Sequence, residues 1–218
     1  MSQHTLMLLR FTYKKLKEKL TVSDSKKLFH EQFPYVIPGL YKRIVDEMLV
    51  ELNLLNHQNE FTQDNIFCVG LTETFKELTK GYKPEENLDL LFESLCCCTN
   101  FEASEIKEIS RKFQNEFKDK SSIDILKFLK EKSDNKFYPS RILNLGMYIL
   151  ISNASDLKEK KESEKSKIIN DIFEKLNFPT NKAEKDIGIY KSTISKMEQA
   201  KELIEELRIK NKKKESKK

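Results

Sequence analysis

The sequence has few turn-forming residues. Five glycines and five prolines occur among 218 residues, against about 12% for the two together in average proteins. The prolines fall between apolar stretches rather than inside them. Turn-rich β-sandwiches and barrels need more of both residues, so the composition favours helices.

Residues that carry catalysis or metal binding are also scarce. The three histidines are His4, His30 and His57, and none has a local partner at ligand spacing. Carboxylate-bridged metal sites in helical bundles use Glu-x-x-His pairs, but Val50 and Leu54 stand where histidines would follow Glu47 and Glu51. No phosphate-binding loop, dinucleotide fingerprint or nucleophile elbow is readable. We therefore predict that the chain is not an enzyme and needs no cofactor or metal.

The cysteine pattern argues against a thiol-based site. Cys68 stands alone, and Cys96, Cys97 and Cys98 are consecutive, with no Cys-x-x-Cys pair. Adjacent helical residues are rotated by about 100°, so three neighbouring thiols cannot converge on one ion. We interpret all four as small apolar residues in a reducing compartment. A redox-sensing thiol is the alternative.

Long hydrophobic runs and arginines are missing as well. The longest apolar stretch, 142–151, contains an asparagine, whereas a membrane-spanning helix needs about 20 residues. The run at 6–9 is too short for a signal peptide. Only five of the 40 basic residues are arginines, which does not favour specific nucleic-acid binding. We expect neither a spanning helix nor a nucleic-acid partner.

Charge divides the chain into three parts. Residues 1–20 carry +4 and residues 208–218 carry +6; subtracting both from the total of +5 leaves −5 for the centre. We predict a basic N-terminal extension (1–20), an all-helical domain (21–178), and a long C-terminal helix with a short coiled-coil-like stripe and a basic tail (179–218). The extension is either an interfacial helix or an upstream segment of little function.

Apolar periodicity predicts an all-α fold: a single helical domain of about eight or nine helices with a long C-terminal amphipathic helix. The clearest helix runs from about Pro38 to Leu55. Ser23 or Asp24 is expected to cap the helix before it, Asp64 the one after it, and Ser140 the apolar helix 141–152. The other helices are expected at about 84–95, 102–117, 122–131, 168–178 and from 180 beyond 207, with a loop at 135–139.

Two segments leave alternatives open. Residues 157–167 are almost entirely Lys, Glu and Ser, typical of a solvated helix or a linker. In the last helix, a narrow stripe of Met197, Ala200, Ile204 and Leu207 fits either a helix lying on its own domain or a protruding one.

Gly70 and Gly146 lie inside predicted helices, where glycine costs about 1 kcal/mol against alanine. A missing side chain allows another helix to approach closely. We therefore hypothesise that both helices lie in the core and cross neighbours at these glycines.

Several blocks resemble the thylakoid formation protein family of cyanobacteria and chloroplasts, in the family's order and spacing over about 21–205. They are TVSDSK (21–26), YKRIVDEMLVE (41–51), DNI (64–66), VGL (69–71), GYKPE (81–85), FYPSRI (137–142), KD (185–186), YKS (190–192) and KM (196–197). Residues 1–20, the poorly matching segment 93–135 and the cysteine run depart from the family pattern.

The resemblance implies an all-helical, non-catalytic accessory protein of photosystem II biogenesis and repair. It also implies peripheral association with the thylakoid on its cytoplasmic or stromal side, and binding and stabilisation of the FtsH-type membrane protease complex. Residues of the matched blocks are then the candidate partner contacts: Arg43, Asp46, Glu47, Lys185, Tyr190, Lys191 and Lys196. The alternative is a membrane-organising protein whose basic ends dock on anionic lipid, through Lys210, Lys212, Lys213 and Lys214.

Overall fold

The computed structural model describes residues 19–132 and 138–215, apart from the side chains of residues 132, 208 and 211–215. Within these ranges the chain forms nine α-helices, one 3₁₀ turn (Glu85–Asn87) and no β-strand. The predicted all-α fold with a long final helix is therefore confirmed. The helices are α1 (Val22–Gln32), α2 (Gly39–His57), α3 (Asn65–Leu78), α4 (Leu88–Cys97), α5 (Ala103–Phe117), α6 (Ser122–Lys132), α7 (Arg141–Ser152), α8 (Glu162–Lys175) and α9 (Thr180–Glu215).

Side-chain caps start four of these helices; at α6, the Ser121 hydroxyl accepts a hydrogen bond from the Asp124 N–H at 3.2 Å. Asp64 Oδ1 accepts a hydrogen bond from the Phe67 N–H at 2.7 Å, and Ser140 Oγ accepts one from the Leu143 N–H at 3.1 Å, as the sequence predicts. The prediction of Ser23 or Asp24 as the cap of α1 is wrong. Thr21 holds that position, because its hydroxyl accepts from the Asp24 N–H at 3.2 Å and donates to the Asp24 carboxylate at 2.6 Å, which places Asp24 one turn inside the helix.

The two mid-helix glycines meet each other. An ideal Cβ on Gly70 would lie 2.9 Å from Gly146 N and far inside contact distance of Ile142 O. A Cβ on Gly146 would lie 3.1 Å from Gly70 N and far inside contact distance of Ile66 O. Backbone atoms, which cannot rotate away, therefore occupy both spaces. The hypothesis of a close crossing at these glycines is confirmed, and α3 and α7 are the two helices that cross.

The crossing lies inside one continuous core. Helix α3 packs against α5 and α7, and Leu49 and Leu52 of α2 are buried in the same core. Between α7 and α8, Leu157 is fully buried within a series of turns, so this one apolar residue anchors the otherwise charged segment. The predicted loop at 135–139 lies partly outside the described residues.

Helix α9 has two different parts. At about 1.5 Å per residue its 36 residues span about 54 Å. Ala183, Ile187 and Met197 are buried against the domain, whereas Leu203, Ile204 and Leu207 are exposed. Both alternatives for the final helix therefore apply, each to a different part of it. None of the described helices is long and apolar enough to cross a membrane.

Candidate partner-binding face

Three of the candidate contact residues lie on the outer side of α2. Ile44, Val45 and Met48 turn toward the core and are buried, so Arg43, Asp46 and Glu47 point away from it. They line a groove of about 880 Å³ between α2 and the segment that enters α7. We call this the α2 groove; it is lined by Lys26, Gly39, Lys42, Arg43, Asp46, Glu47, Val50, Glu51, Leu54, Leu55, Gln58, Tyr138, Pro139, Ser140 and Arg141.

An arginine–carboxylate pair fixes the floor of the groove. Arg141 donates to Glu51 Oε2 from Nε at 2.8 Å and from Nη2 at 2.6 Å, while Glu51 Oε1 accepts from the Ile142 N–H at 3.2 Å. Burial raises the pKa of Glu51, although the charge and hydrogen bonds of Arg141 oppose that shift. The pair therefore joins α2 to the start of α7 at a partly dehydrated point, where two guanidinium N–H groups share one carboxylate oxygen in charge-assisted hydrogen bonds.

The rim of the groove is more exposed. Arg43 Nε lies 2.7 Å from Glu47 Oε1 in an i,i+4 pair, and Arg141 Nη1 lies 3.9 Å from the other Glu47 oxygen. Asp46 is half-buried beside them. Exposed pairs of this kind contribute little to stability, so these side chains can exchange their present partners for those of another molecule at small cost.

An apolar strip runs along the same groove. Val50 is half-buried, Leu55 is buried, and Leu54 leaves 52% of its surface exposed. Charged groups beside an open leucine, held on a rigid helix, form the combination that recognises a polypeptide segment carrying both charge and an apolar anchor.

The candidate residues of α9 lie on other surfaces. Lys185 and Lys196 are exposed. Tyr190 is half-buried against the core, and burial raises the pKa of its hydroxyl, with the charges of Glu77 and Glu73 and the Tyr148 hydroxyl adding to the shift. Thus the seven candidates do not form one patch.

Lys191 already has partners inside the chain. Its ammonium pairs with Glu162 and lies 5.0 Å from the centre of the Tyr148 ring. Burial would lower the pKa of Lys191, but Glu162 and Tyr148 outweigh it and raise that pKa. These contacts tie α9 to α7 and to the start of α8, so this lysine has a structural role whether or not it meets a partner.

The basic tail is only partly described. Lys210 is exposed, and its ammonium lies 4.0 Å from a Glu206 carboxylate oxygen. The side chains of Lys212, Lys213 and Lys214 lie outside the described residues. Contact between these lysines and lipid stays a prediction.

The described residues offer no assembled metal site: no group of three or more His, Cys, Asp or Glu side chains among them could hold an ion. The four cysteines, all within the described ranges, form no disulfide. Burial raises the pKa of Cys68 to about 12 and also raises those of Cys96 and Cys98. Since only a thiolate is nucleophilic, these three are poor reactants at neutral pH.

The sequence analysis did not single out Arg141, Glu51 or Tyr138 as parts of this face. Arg141 and Glu51 are 90 residues apart in sequence, so only the folded chain brings them together. The available signal was that all three belong to matched blocks: Glu51 to the block at 41–51, and Tyr138 and Arg141 to the block at 137–142.

Comparison with known proteins agrees with this fold. The model of the thylakoid formation protein family matches residues 21–218. Protein Thf1 of Prochlorococcus marinus strain MIT 9312 is 79% identical over 199 residues, which cover 91% of this chain and 99% of that protein. Protein Thf1 of P. marinus subsp. pastoris strain CCMP1986 is 71% identical, covering 93% and 100%.

A solved structure of Psb29 has a similar fold, with a TM-score of 0.71 and 24% identity over 82% of this chain and 98% of that one. The residues that the family model matches, 21–218, include the α2 groove and α9. The chain belongs to the thylakoid formation protein family.

Proposed function

We propose that this protein is a non-catalytic accessory factor of photosystem II biogenesis and repair and of thylakoid membrane formation. It acts by binding and stabilising the FtsH-type membrane protease complex, as a peripheral protein on the cytoplasmic (stromal) side of the thylakoid. Membership of the thylakoid formation protein family supports a role in thylakoid formation and photosystem II biogenesis. The protease as the partner follows from the family resemblance of the sequence.

The α2 groove is the observation that carries this proposal. It combines an open apolar side chain, Leu54, with the exposed charges of Arg43 and Glu47, and the half-buried Arg141–Glu51 contact holds its floor. A preformed groove orders few side chains on binding, which lowers the entropic cost of association. A segment of a protease subunit with an apolar anchor and complementary charges fits this surface.

Stabilisation then follows from linkage. A protein that binds only the assembled complex shifts the equilibrium toward assembly, in proportion to its concentration relative to its dissociation constant. No bond is made or broken, so the mechanism needs no catalytic group.

Affinity capture from gently solubilised thylakoids tests the proposal. Tagged wild type should retain FtsH-type subunits in moderate salt, and a Leu54→Glu/Asp46→Lys variant should lose them. Leu203→Glu is the matched control, because Leu203 is similarly exposed but does not line the groove. Absence of protease subunits with the wild type would contradict the proposed partner; equal capture by the groove variant would contradict the proposed face.

A second candidate function is membrane organisation through the basic ends. It is favoured by the last part of α9, which carries Lys210 on an exposed surface next to the basic tail. Each basic residue near an anionic bilayer contributes about 1 kcal/mol before screening. If the basic tail docks on lipid, deleting 208–218 should weaken lipid binding and reduce its salt dependence. If the α2 groove binds the protease, the same deletion should leave protease capture intact.

A further inference from the structure

The connection between α1 and α2 forms an apolar projection. Phe33 is buried at the end of α1, and the chain then passes through Pro34, Tyr35, Val36, Ile37 and Pro38 before α2 begins. Val36 leaves 90% of its surface exposed and Tyr35 leaves 50%. We call residues 34–38 the apolar tip. Among the described residues, Val36 therefore has little packing at the end of the tip.

The apolar tip is held in place from both sides. The Tyr35 ring lies 5.4 Å from the buried Phe33 ring, in an edge-to-face arrangement, and Ile37 packs against the core. The two prolines fix their own φ angles. The tip is therefore presented by a restrained backbone, and little conformational freedom remains to be lost on contact with a surface.

Two cations follow the tip closely in sequence. Lys42 and Arg43 follow in the first turns of α2, and the first turn contains no acidic residue. Among the ion pairs of the described residues none includes Lys42, while Arg43 pairs with Glu47 one turn further from the tip. A cation that lacks an ion pair near the positive end of a helix dipole is unfavourable for the isolated protein, and an anionic surface would compensate Lys42.

We propose that the apolar tip docks on the surface of an anionic lipid bilayer. Tyr35 and Val36 enter the boundary between headgroups and acyl chains, where tyrosine is favoured, and Lys42 and Arg43 contact lipid phosphates. This contact goes beyond the proposed function. Lys42 and Arg43 also line the α2 groove, but the tip itself, the basic ends and Leu54 are separate, so lipid docking of the tip can fail while protease binding stands.

The backbone sets the depth of docking. In the described part of the chain, no hydrogen bond uses the N–H groups of Tyr35, Val36 or Ile37, and unsatisfied N–H groups are costly in hydrocarbon. Pro34 and Pro38 have no N–H to satisfy. We therefore expect contact at the interfacial level and not insertion into the bilayer core.

The chain contains no tryptophan, so a single introduced tryptophan reports its own surroundings. In full-length Val36→Trp, emission should shift to the blue on adding vesicles of phosphatidylglycerol and phosphatidylcholine, and lipids brominated near the headgroup end of the acyl chain should quench it. Ile123→Trp is the matched control, because Ile123 is 62% exposed at the start of α6, away from the tip. Its emission should not change.

Binding measurements complete the test. Val36→Glu should weaken vesicle association about ten-fold, since burial of one valine side chain corresponds to roughly that factor, and Ile123→Glu should leave it unchanged. Unchanged Val36→Trp emission, with or without vesicle binding by the chain, would overturn the proposal. A blue shift seen only with detergent-solubilised thylakoid proteins, and not with protein-free vesicles, would mean that the tip docks on protein and would overturn it equally.

Discussion

The α2 groove and the outer end of α9 (202–215) expose similar apolar side chains but differ in what supports them. Leu54 in the groove is 52% exposed, and Leu203 on α9 is 57% exposed. Behind Leu54 lie buried residues of α2 and the Arg141–Glu51 contact. The described side chains of residues 202–210 are all exposed, so Leu203 stands on a helix that is solvated on all sides.

The comparison shows that exposure alone does not define a binding surface. A groove held by a buried core keeps its side chains in fixed relative positions, so a partner meets a preorganised surface. A helix end supported only by its own backbone hydrogen bonds opens locally at low free energy. We therefore assign specific recognition to the α2 groove, and expect changes on the two surfaces to have very different effects on stability.

The largest effect is expected at the crossing of α3 and α7, which positions the groove floor. Gly70→Ala or Gly146→Ala places a methyl group against backbone atoms of the opposite helix, and should lower the free energy of unfolding by about 3 kcal/mol. Thermal and urea unfolding measure this effect.

Gly188→Ala is the matched control, because it also lies inside a helix but a Cβ there would meet nothing within 4 Å. It should raise stability by up to about 1 kcal/mol through helix propensity. If all three substitutions behaved alike, the close crossing would be refuted.

The next largest effect is expected at the groove floor. Arg141→Ala leaves the carboxylate of Glu51, whose side chain is 17% exposed, without its partner, and should cost about 2 kcal/mol. Arg43→Ala removes a pair that is exposed on both sides and should cost less than about 0.5 kcal/mol. Equal losses of unfolding free energy for the two variants in urea would show that the Arg141 contact at the floor stabilises the fold no more than the exposed pair at the rim.

A smaller effect concerns pH. Burial raises the pKa of Glu51 above its ordinary 4.5, so the folded state holds this proton more tightly than the unfolded state. The contribution of Glu51 to stability is therefore full below about pH 4.5 and declines as pH rises through the folded pKa.

The difference in unfolding free energy between wild type and Glu51→Gln isolates this contribution, because other carboxylates titrate in both proteins. It should fall as pH increases above 4.5. A difference that rises with pH would mean that Arg141 outweighs burial at this site.

The smallest effect is expected at the outer end of α9. Deleting 203–218 removes side chains that are exposed where described, and should change stability by less than about 0.5 kcal/mol. Met197→Ala, on the buried part of the same helix, should cost about 2 kcal/mol. A large loss of stability on truncation would show that the outer end packs on the domain.

Local patterns predicted most of the fold. The apolar stripe of α2, the caps Asp64 and Ser140, and the two crossing glycines all depend on residues within one helix, so periodicity and propensity reveal them. That Gly70 meets Gly146 is a tertiary fact that no local pattern contains. The missed cap at Thr21 reflects competition among neighbouring polar residues, all of which are good caps.

The candidate site was less predictable than the helices, because it depends on contacts between residues that are far apart in sequence. Arg43, Asp46 and Glu47 could be proposed because the stripe of α2 shows which side faces solvent. The groove itself depends on Arg141 reaching Glu51 across 90 residues of sequence. Likewise, only the folded chain shows that Lys191 is paired with Glu162. Partner binding by all seven candidates stays a prediction.

Site-specific photo-crosslinking in thylakoid membranes tests the central claim most directly. A photoreactive residue replaces either Leu54 or Leu203, two leucines of similar exposure on the two surfaces compared above. We predict that position 54 crosslinks to an FtsH-type protease subunit and that position 203 does not. Crosslinking to the protease from position 203 alone, or from neither position, would contradict the assignment of the α2 groove as the partner-binding face.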